Sequence, residues 1–322
     1  MSKVIGIDIS KATFDIGFAR EAQWTHNVFS NDLKGFKSFK KVITSGDHCI
    51  MEASGPYYLQ LAMFLHSQGI KVSVVNPLVI KRFSQMRLLR AKTDKKDARV
   101  IAEYGIKESP AFWNPEEKHI FHMRQMFTTI QNMDKQIKMS SKQLEAFEAT
   151  GMLCAEVKST LRGLIKMLKK KKEKLETQLI GLTKEHYQQT FDRLQTIPGV
   201  GPKTAVLLTT ITNNFQKFEH SRQLIAYVGL SPRIYQSGTS IKGKGHICKM
   251  GNSVVRKQLY MCSWTAKFCN KGCREMYTRL KEKGKPERVI KIAIANKLLK
   301  QAFAVVKNNM NFNENYVPKP CF

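Results

Sequence analysis

A long stretch without proline and with little glycine divides this chain of 322 residues into three segments. Between Glu116 and Tyr187 proline is absent and glycine occurs three times. Because these two residues are the main breakers of helices, the stretch predicts two long helices, at 117–149 and 155–183, with a break near Gly151. Leucines recur along the second helix at helical spacing, which indicates a helical hairpin or coiled coil. Its role is left open between a spacer, a dimerisation arm and a basic handle for nucleic acid.

The segment before this stretch alternates short strand patterns with helical ones. The order is three strands, a helix, a strand, a helix, a strand and a helix, which is typical of an α/β layer with a mixed sheet. The first two strands, at 3–9 and 13–19, are predicted to form a β-hairpin. The last helix begins in the sequence DKKDAR, and Asp94 is its predicted N-cap.

Acidic residues are few, and they recur where a predicted strand ends or a helix begins. The four that stand out are Asp8, Glu52, Asp94 and Asp97. Asp8 follows the apolar run VIGI, where a buried charge is costly without a counterion. Carboxylates are the ligands that Mg²⁺ prefers, and a metal pair can stabilise both oxygens of an in-line displacement at phosphorus. The alternative is that Asp94 only caps its helix and Asp97 pairs with a nearby Lys or Arg; Asp15 is a lesser candidate.

The chain is strongly basic, with 54 Lys and Arg against 25 Asp and Glu, a formal net charge of +29 and a pI near 9.9. Such a balance favours a polyanionic partner, DNA or RNA, over an anionic membrane. No apolar run approaches the roughly 20 residues that span a bilayer, and the first residues lead directly into a strand, so we expect a cytoplasmic, nucleoid-associated protein. A zinc site at Cys269 and Cys273, with His246 and Cys248 upstream, is conceivable but lacks a second close pair.

The third segment carries two glycine-rich patterns. In IPGVGPKTA, at 197–205, a G-x-G turn precedes a helix, whose first N–H groups can bind a phosphate. This pattern resembles a helix-hairpin-helix element and makes Gly199, Gly201 and Lys203 candidate nucleic-acid contacts; the alternative is an ordinary turn with Pro202 at the first helical position. Helices are predicted at 221–228, 253–269 and 286–307.

From Arg233 to the end there are 19 basic and 4 acidic residues, a formal net charge of +15. This composition predicts a phosphate-binding surface. Its candidate contacts are Arg233, Lys242, Lys244, Lys249 and Arg256. Ser237, beside Gly238, could act as a nucleophile if a base, a metal or positive charge activated it, but spacing alone does not separate it from the other hydroxyl residues of this loop.

Taken in order, these motifs resemble one family. They are G-I-D at the start, M-E-A-S-G-P-Y at 51–57, V-N-P at 75–77, K-T-D-K-K-D-A-R at 92–99, I-P-G-V-G at 197–201, Y-V-G-L-S-P at 227–232, then Q-S-G-T-S and K-M-G-N. The chain resembles a DEDD-type insertion-sequence transposase with a RuvC-like (RNase H-like) N-terminal domain, a family of recombinases guided by a bridge RNA. The chain departs from the family pattern at two positions: Ser54 stands where Thr is frequent, and Cys248 stands where Ser is common.

The resemblance implies a role for each matched residue. Asp8, Glu52, Asp94 and Asp97 would hold Mg²⁺, with Mn²⁺ able to substitute, and Ser237 would form a covalent phosphoserine link to DNA. The partners would be donor and target DNA, a bridge RNA and further copies of the chain, as a dimer or a synaptic tetramer. The implied domains are a RuvC-like domain at 1–112, a helical coiled-coil linker at 113–188, a mainly α C-terminal domain at 189–310 and a tail at 311–322.

Two other functions compete with a serine recombinase. The first is a RuvC-like junction endonuclease that uses metal-activated water. The second is a nucleic-acid-binding protein without catalytic activity. Substitution of Ser237 distinguishes the endonuclease from the serine recombinase. Substitution of Asp8 or Glu52 distinguishes the binding protein from both enzymes.

Overall fold

A computed structural model describes residues 2–20, 23–88, 93–233, 236–237, 241–242 and 246–315 of the chain. The chain divides into two compact units, Met1–Pro115 and Glu116–Phe322. The two long helices and the glycine-rich segment after them therefore belong to one unit. Across the described residues, none of the helices combines the length and the apolar character that crossing a membrane requires.

The first unit is a mixed five-stranded sheet with helices on both faces. Its elements are β1 (Val4–Ile9), β2 (Thr13–Arg20), β3 (Gln23–Ser30), α1 (Leu33–Lys40), β4 (His48–Glu52), α2 (Tyr58–Ser67), β5 (Lys71–Val75), α3 (Pro77–Met86) and α4 (Asp94–Glu108). The strand order is β3-β2-β1-β4-β5; β1, β2 and β3 run antiparallel, whereas β1, β4 and β5 run parallel. The predicted hairpin and mixed sheet are confirmed.

Side chains along β1 alternate between the two faces of the sheet, and each face packs against different helices. Ile5, Ile7 and Ile9 belong to a core that includes residues of α1 and α2. Residues two apart on a strand share a face, so Gly6 and Asp8 point to the other side, towards α4. A Cβ on Gly6 would lie 2.1 Å from the carbonyl oxygen of Ala98, which shows that α4 packs directly on the backbone of β1.

The second unit is helical apart from short strand pairs. Its elements are α5 (Lys118–Ala149), α6 (Ala155–Gln195), α7 (Pro202–Thr212), α8 (Ser221–Val228), β6 (Pro232–Arg233), β7 (Gln236–Ser237), β8 (Ile241–Lys242), β9 (His246–Ile247), α9 (Ser253–Cys269), α10 (Lys271–Glu282) and α11 (Glu287–Lys307). The helices α5 and α6 pack along each other as the predicted hairpin, and Lys172 donates to Asp134 across them at 2.7 Å. Non-helical backbone angles at Tyr187 kink α6 near its end.

The helix α10 was not expected from the sequence. Gly272 stands near its start, and glycine weakens a helical prediction. Asn270 nevertheless caps the helix by accepting a hydrogen bond from the Cys273 backbone at 3.2 Å, and Cys273 itself is fully buried. A cap and a buried anchor therefore offset the low helix propensity of glycine at this site.

Candidate functional site

Two of the candidate acids lie at the carboxyl end of neighbouring parallel strands. Asp8 is the penultimate residue of β1, and Glu52 is the last residue of β4. The register pairs Gly6 with Ile50, so Asp8 and Glu52, each two residues further on, point to the same face of the sheet. That face is the one on which α4 packs. The sheet therefore brings together two acids that are 44 residues apart in the sequence.

The other two candidate acids lie in the first turn of α4. Asp94 is exposed and Asp97 is half-buried. The prediction that Asp94 caps this helix is wrong, because Thr93 is the N-cap and its hydroxyl accepts from the Lys96 backbone at 3.3 Å. Asp94 is thus a helical residue with its carboxylate free of the capping role. Negative charge is favourable at this end of a helix, which carries partial positive charge.

The electrostatics of Asp8 show that the four acids lie near one another. The pKa of the Asp8 carboxyl is raised from 3.8 to about 6. Burial is the largest cause, followed by the negative charges of Asp97, Asp94 and Glu52, with Asp15 contributing least. Within the described residues, the Asp8 carboxylate has no hydrogen bond or ion pair. This half-buried acid is therefore disfavoured in its charged form by its neighbours as well as by burial.

The acidic cluster, meaning Asp8, Glu52, Asp94 and Asp97, suits a hard divalent cation in its chemistry. All four side chains offer carboxylate oxygens, the donors that Mg²⁺ takes, and a cation would offset the repulsion that raises the pKa of Asp8. In the part of the chain that the structure describes, no three His, Cys, Asp or Glu side chains converge closely enough to hold a metal ion. The cluster therefore suits a metal by its donor set and charge, although among the described residues the carboxylates do not converge closely enough to hold one.

A histidine beside the cluster escaped the sequence interpretation. Asp15 is paired with Asp8 in the register of β1 and β2, so it shares the face of the acidic cluster. The ring of His26, on β3, lies 2.6 Å from the Asp15 carboxylate through Nε2. This contact holds Asp15 in place, and the only sequence signal for it was the alternation of side chains along β3.

Ser237 lies on an antiparallel ribbon in the second unit. The outer pair joins β6 to β9, with Arg233 opposite His246. The inner pair joins β7 to β8, with Ser237 opposite Ile241. Residues 238–240, which connect the inner strands, lie outside the described residues, as does Lys244; only the backbone positions of Ser237 and Lys242 are described. Ser237 is thus the last paired residue of β7.

The base of this ribbon is built from two of the motifs. The backbone of Cys248 donates to Ser231 at 2.8 Å, and that of Lys249 donates to Gly229 at 3.1 Å. Gly251 has a φ of +130°, and a Cβ there would meet the Tyr227 carbonyl at 2.2 Å. The Y-V-G-L-S-P and K-M-G-N motifs therefore pack against each other beside the β6–β9 pair.

The candidate nucleic-acid contacts fall into exposed and structural groups. Arg233, Lys249 and Gly201 are exposed, and Gly201 is the N-cap of α7. Gly199, in contrast, has a φ of +97°, and a Cβ there would be 2.7 Å from the Cβ of Ala266 on α9. Its motif is therefore a tight turn between α6 and α7 that also seats α9.

Two of the candidate cations have partners within the protein. The ammonium of Lys203, 65% exposed, lies 2.9 Å from the Glu176 carboxylate. The guanidinium of Arg256 donates to the Val228 carbonyl at 2.7 Å and is half-buried. Lys203 can exchange its carboxylate for a phosphate, whereas Arg256 holds the end of α8 against α9.

Comparison with known proteins finds two family matches, of which the first extends from the first unit through most of α5. Residues 5–147 match the model of the DEDD transposase family of IS110 type, and residues 191–278 match that of the IS116/IS110/IS902 transposase family. A pilin gene-inverting protein of Moraxella lacunata is 34% identical over 98% of this chain and 99% of its own length, and its Moraxella bovis counterpart is equally similar. A transposase of the element IS1111A from Coxiella burnetii is 24% identical over 80% of this chain and 76% of its own.

Proposed function

Because this chain belongs to the IS110 family of transposases, an enzyme family that acts on DNA, we propose that it cuts and rejoins DNA at an insertion sequence through a covalent link to Ser237. The observation that carries the metal-dependent part is the raised pKa of Asp8, caused by burial and by four other carboxylates, those of Asp97, Asp94, Glu52 and Asp15, which come from three other elements of the chain. Acids that perturb one another in this way are typical of catalytic sites. The mixed sheet and the position of its acids support a RuvC-like, RNase H-like first domain.

In this proposal the acidic cluster holds Mg²⁺, for which Mn²⁺ can substitute. When bound, the ion neutralises charge that develops on the attacked phosphate. Asp8 and Glu52 are held by adjacent parallel strands, and Asp94 and Asp97 by one turn of α4. Two rigid elements thus position four oxygen donors, and the half-buried Asp8 is the one that gains most from a cation.

The Ser237 hydroxyl oxygen would attack a backbone phosphorus atom. A new bond forms between that oxygen and phosphorus, one bond from phosphorus to a sugar oxygen breaks, and the serine proton passes to the departing sugar oxygen, which leaves as a hydroxyl. The phosphodiester energy is kept in the phosphoserine, so a second strand can be joined by the reverse reaction without ATP. A relative named for gene inversion supports rejoining over hydrolysis, because inversion requires that cut ends be sealed.

The proposed partners follow from the charge and from the family. The net charge of +29 suits a bridge RNA together with donor and target DNA, as members of this family use. The helical hairpin of α5 and α6 leaves Met139 68% and Met167 46% exposed, which supports association of copies through this arm. A dimer, and a tetramer on paired DNA ends, would let the acidic cluster of one copy meet Ser237 of another. We propose that this reaction takes place in the cytoplasm, at the nucleoid.

The deciding experiment traps the covalent link. The full chain is incubated with the RNA and terminal DNA of its element and Mg²⁺, and protein–DNA adducts are separated on a denaturing gel. We expect an adduct with the unaltered protein, none with Ser237→Ala, and an undiminished adduct with Ser253→Ala, an exposed serine at the start of α9.

Two results would replace the proposal. If Ser237→Ala cleaves DNA at the normal rate, the enzyme is a hydrolytic junction endonuclease. If Asp8→Asn and Glu52→Gln both leave transposition in cells unchanged, the acidic cluster has no catalytic role and the protein acts by binding alone.

A further inference from the structure

One side of α9 presents large side chains to solvent that neither the acidic cluster nor the serine ribbon uses. Met261, Trp264 and Phe268 are 55%, 48% and 68% exposed. Their spacing of three and four residues places them on one side of the helix. The opposite side, with Leu259 and Ala266, belongs to the core of the unit. From Met261 onward the helix therefore carries large apolar side chains on its solvent side, in addition to the buried apolar residues of its core side.

Lysine ammonium groups lie against the exposed rings. The Lys291 Nζ is 3.2 Å from the ring centroid of Trp264, and its side chain is only 4% exposed. The Lys267 Nζ is 4.8 Å from the centroid of Phe268, and its side chain is 13% exposed. The carboxylate of Glu287 is 3.2 Å from both ammonium groups. Because one carboxylate faces two lysine ammonium groups, Glu287, Lys267 and Lys291 together carry a net positive charge.

These cations also hold the rings in place. The buried ammonium of Lys291 covers one part of the Trp264 indole, while about half of the residue stays open to solvent. Tyr277 donates to Glu287 at 2.9 Å and packs its ring 4.6 Å from the Lys267 ammonium. Because α9 is a rigid helix and the lysines are paired, Trp264 and Phe268 form a surface that needs little ordering before a ligand binds.

An aromatic surface with positive charge behind it suits a nucleic-acid strand better than a protein. Lysine is depleted in the centres of protein interfaces, whereas two lysine ammonium groups lie directly behind the rings of this surface. Every nucleobase offers a flat face for an aromatic ring, and the backbone phosphates of the strand offer the negative charge that matches the lysines. The bases must be unpaired, since bases within a duplex already stack on each other.

We propose that the α9 platform, meaning Trp264 and Phe268 with Lys267 and Lys291 behind them, stacks unpaired bases of a nucleic-acid strand. The proposal rests on the nucleic-acid function proposed above and adds to it a second site, made of residues other than the acidic cluster and Ser237. The strand is either a single-stranded part of the RNA or DNA strand exposed during exchange. Both present the same chemistry, so comparison of ribose and deoxyribose strands distinguishes them.

The test separates stacking from charge. The affinity of the full chain is measured without Mg²⁺ for twelve-residue strands of oligo-dT, oligo-U and an abasic strand with the same phosphates. Stacking contributes about 1 to 3 kcal/mol per base, so Trp264→Ala and Phe268→Ala should weaken binding to base-bearing strands by about 5- to 150-fold. Binding to the abasic strand should not change, and Trp264→Phe should retain most of the affinity.

A matched control is Leu33→Ala, because Leu33 is 58% exposed, between the values for Trp264 and Phe268, and lies on α1 in the first unit. It should leave all three affinities unchanged. Should Trp264→Ala disturb folding through the loss of its contact with Lys291, Phe268→Ala still tests the proposal, because so exposed a ring contributes little to the core.

Two outcomes would overturn the platform. One is equal loss of affinity for base-bearing and abasic strands, or no loss for either. The other is unchanged strand binding with an altered oligomeric state in light scattering, which would make this surface an interface between copies. Neither outcome bears on the phosphoserine, because the assay contains no Mg²⁺ and no strand transfer, whereas loss of the Ser237 adduct leaves the stacking result standing.

Discussion

Gly6 on β1 and Ala98 on α4 are in direct backbone contact: a Cβ on Gly6 would lie 2.1 Å from the Ala98 carbonyl oxygen and 2.2 Å from the Ala102 nitrogen. This contact sets how closely the helix approaches the sheet. Asp8 is two residues after Gly6, and Asp97 immediately precedes Ala98. The distance between the two groups of acids therefore depends on the absence of one side chain.

Gly6→Ala should push α4 away from β1 and impair the acidic cluster. Overpacking of this kind costs about 1 to 3 kcal/mol, so we expect a lower midpoint of thermal unfolding and, in the folded fraction, loss of Mg²⁺-dependent DNA cleavage. Gly181→Ala, in α6, is the control, because a Cβ there meets no atom within 4 Å. An unchanged cleavage rate in Gly6→Ala would show that the close approach of α4 does not govern the site.

Asp8 should make the metal-free protein less stable as the pH rises. Its pKa is 3.8 in a model compound and about 6 in the folded chain, so between these values the unfolded chain releases its proton first. The contribution of Asp8 to stability is therefore present in full below about pH 4 and is lost as the pH passes 6. Asp8→Asn should raise the unfolding midpoint at pH 7 in chelator and leave it unchanged at pH 3.5.

Divalent cations should reverse the destabilisation by Asp8. Binding to the folded state raises stability by mass action, so Mg²⁺ should raise the unfolding midpoint of the unaltered protein at pH 7. Asp8→Asn should show a smaller rise, and Asp134→Asn, which removes an acid paired with Lys172 in the second unit, should show the full rise. An equal response of all three proteins would place the cation elsewhere.

The ion pair of Lys203 with Glu176 should limit nucleic-acid affinity. The two groups lie 2.9 Å apart, and Lys203 must leave this carboxylate to contact a phosphate. Glu176→Gln should therefore tighten DNA binding at low salt, and Lys203→Gln should weaken it and reduce the slope of log affinity against log salt by about 1. Glu145→Gln removes the same charge from an exposed site on α5 and reports the general effect of charge alone.

Arg256 should matter for stability more than for binding. Its guanidinium donates to the carbonyl of Val228, a residue that is 1% exposed. Arg256→Ala leaves this acceptor unpaired, which should lower the free energy of unfolding in urea by about 1 to 3 kcal/mol. Lys257→Ala, at the next and exposed position, should leave stability unchanged. If Arg256→Ala instead unfolds normally and binds DNA weakly, its role is in the nucleic-acid interface.

The local pattern of apolar residues and helix breakers was enough to predict many of the helices. The boundaries of α8 and α9 match their hydrophobic spacing, and the scarcity of helix breakers marks α5 and α6. The N-cap of α4 was predicted at Asp94 instead of Thr93, because both are good capping residues and they are adjacent in the chain. The helix α10 was missed because Gly272 lowers its propensity, while its buried anchor is visible only in three dimensions.

The order of residues in the chain determined, without help from the fold, the strongly basic charge, the rare acids at element ends and the motifs of the family, because charge, periodicity and motif order are read directly from the sequence. Contacts between distant segments decided the rest. Parallel pairing of β1 with β4 places Asp8 beside Glu52, and β3 brings His26 to Asp15. Which side of α9 faces water was also settled only by packing, since a helix that is apolar on two sides carries no local sign of which one its neighbours will cover.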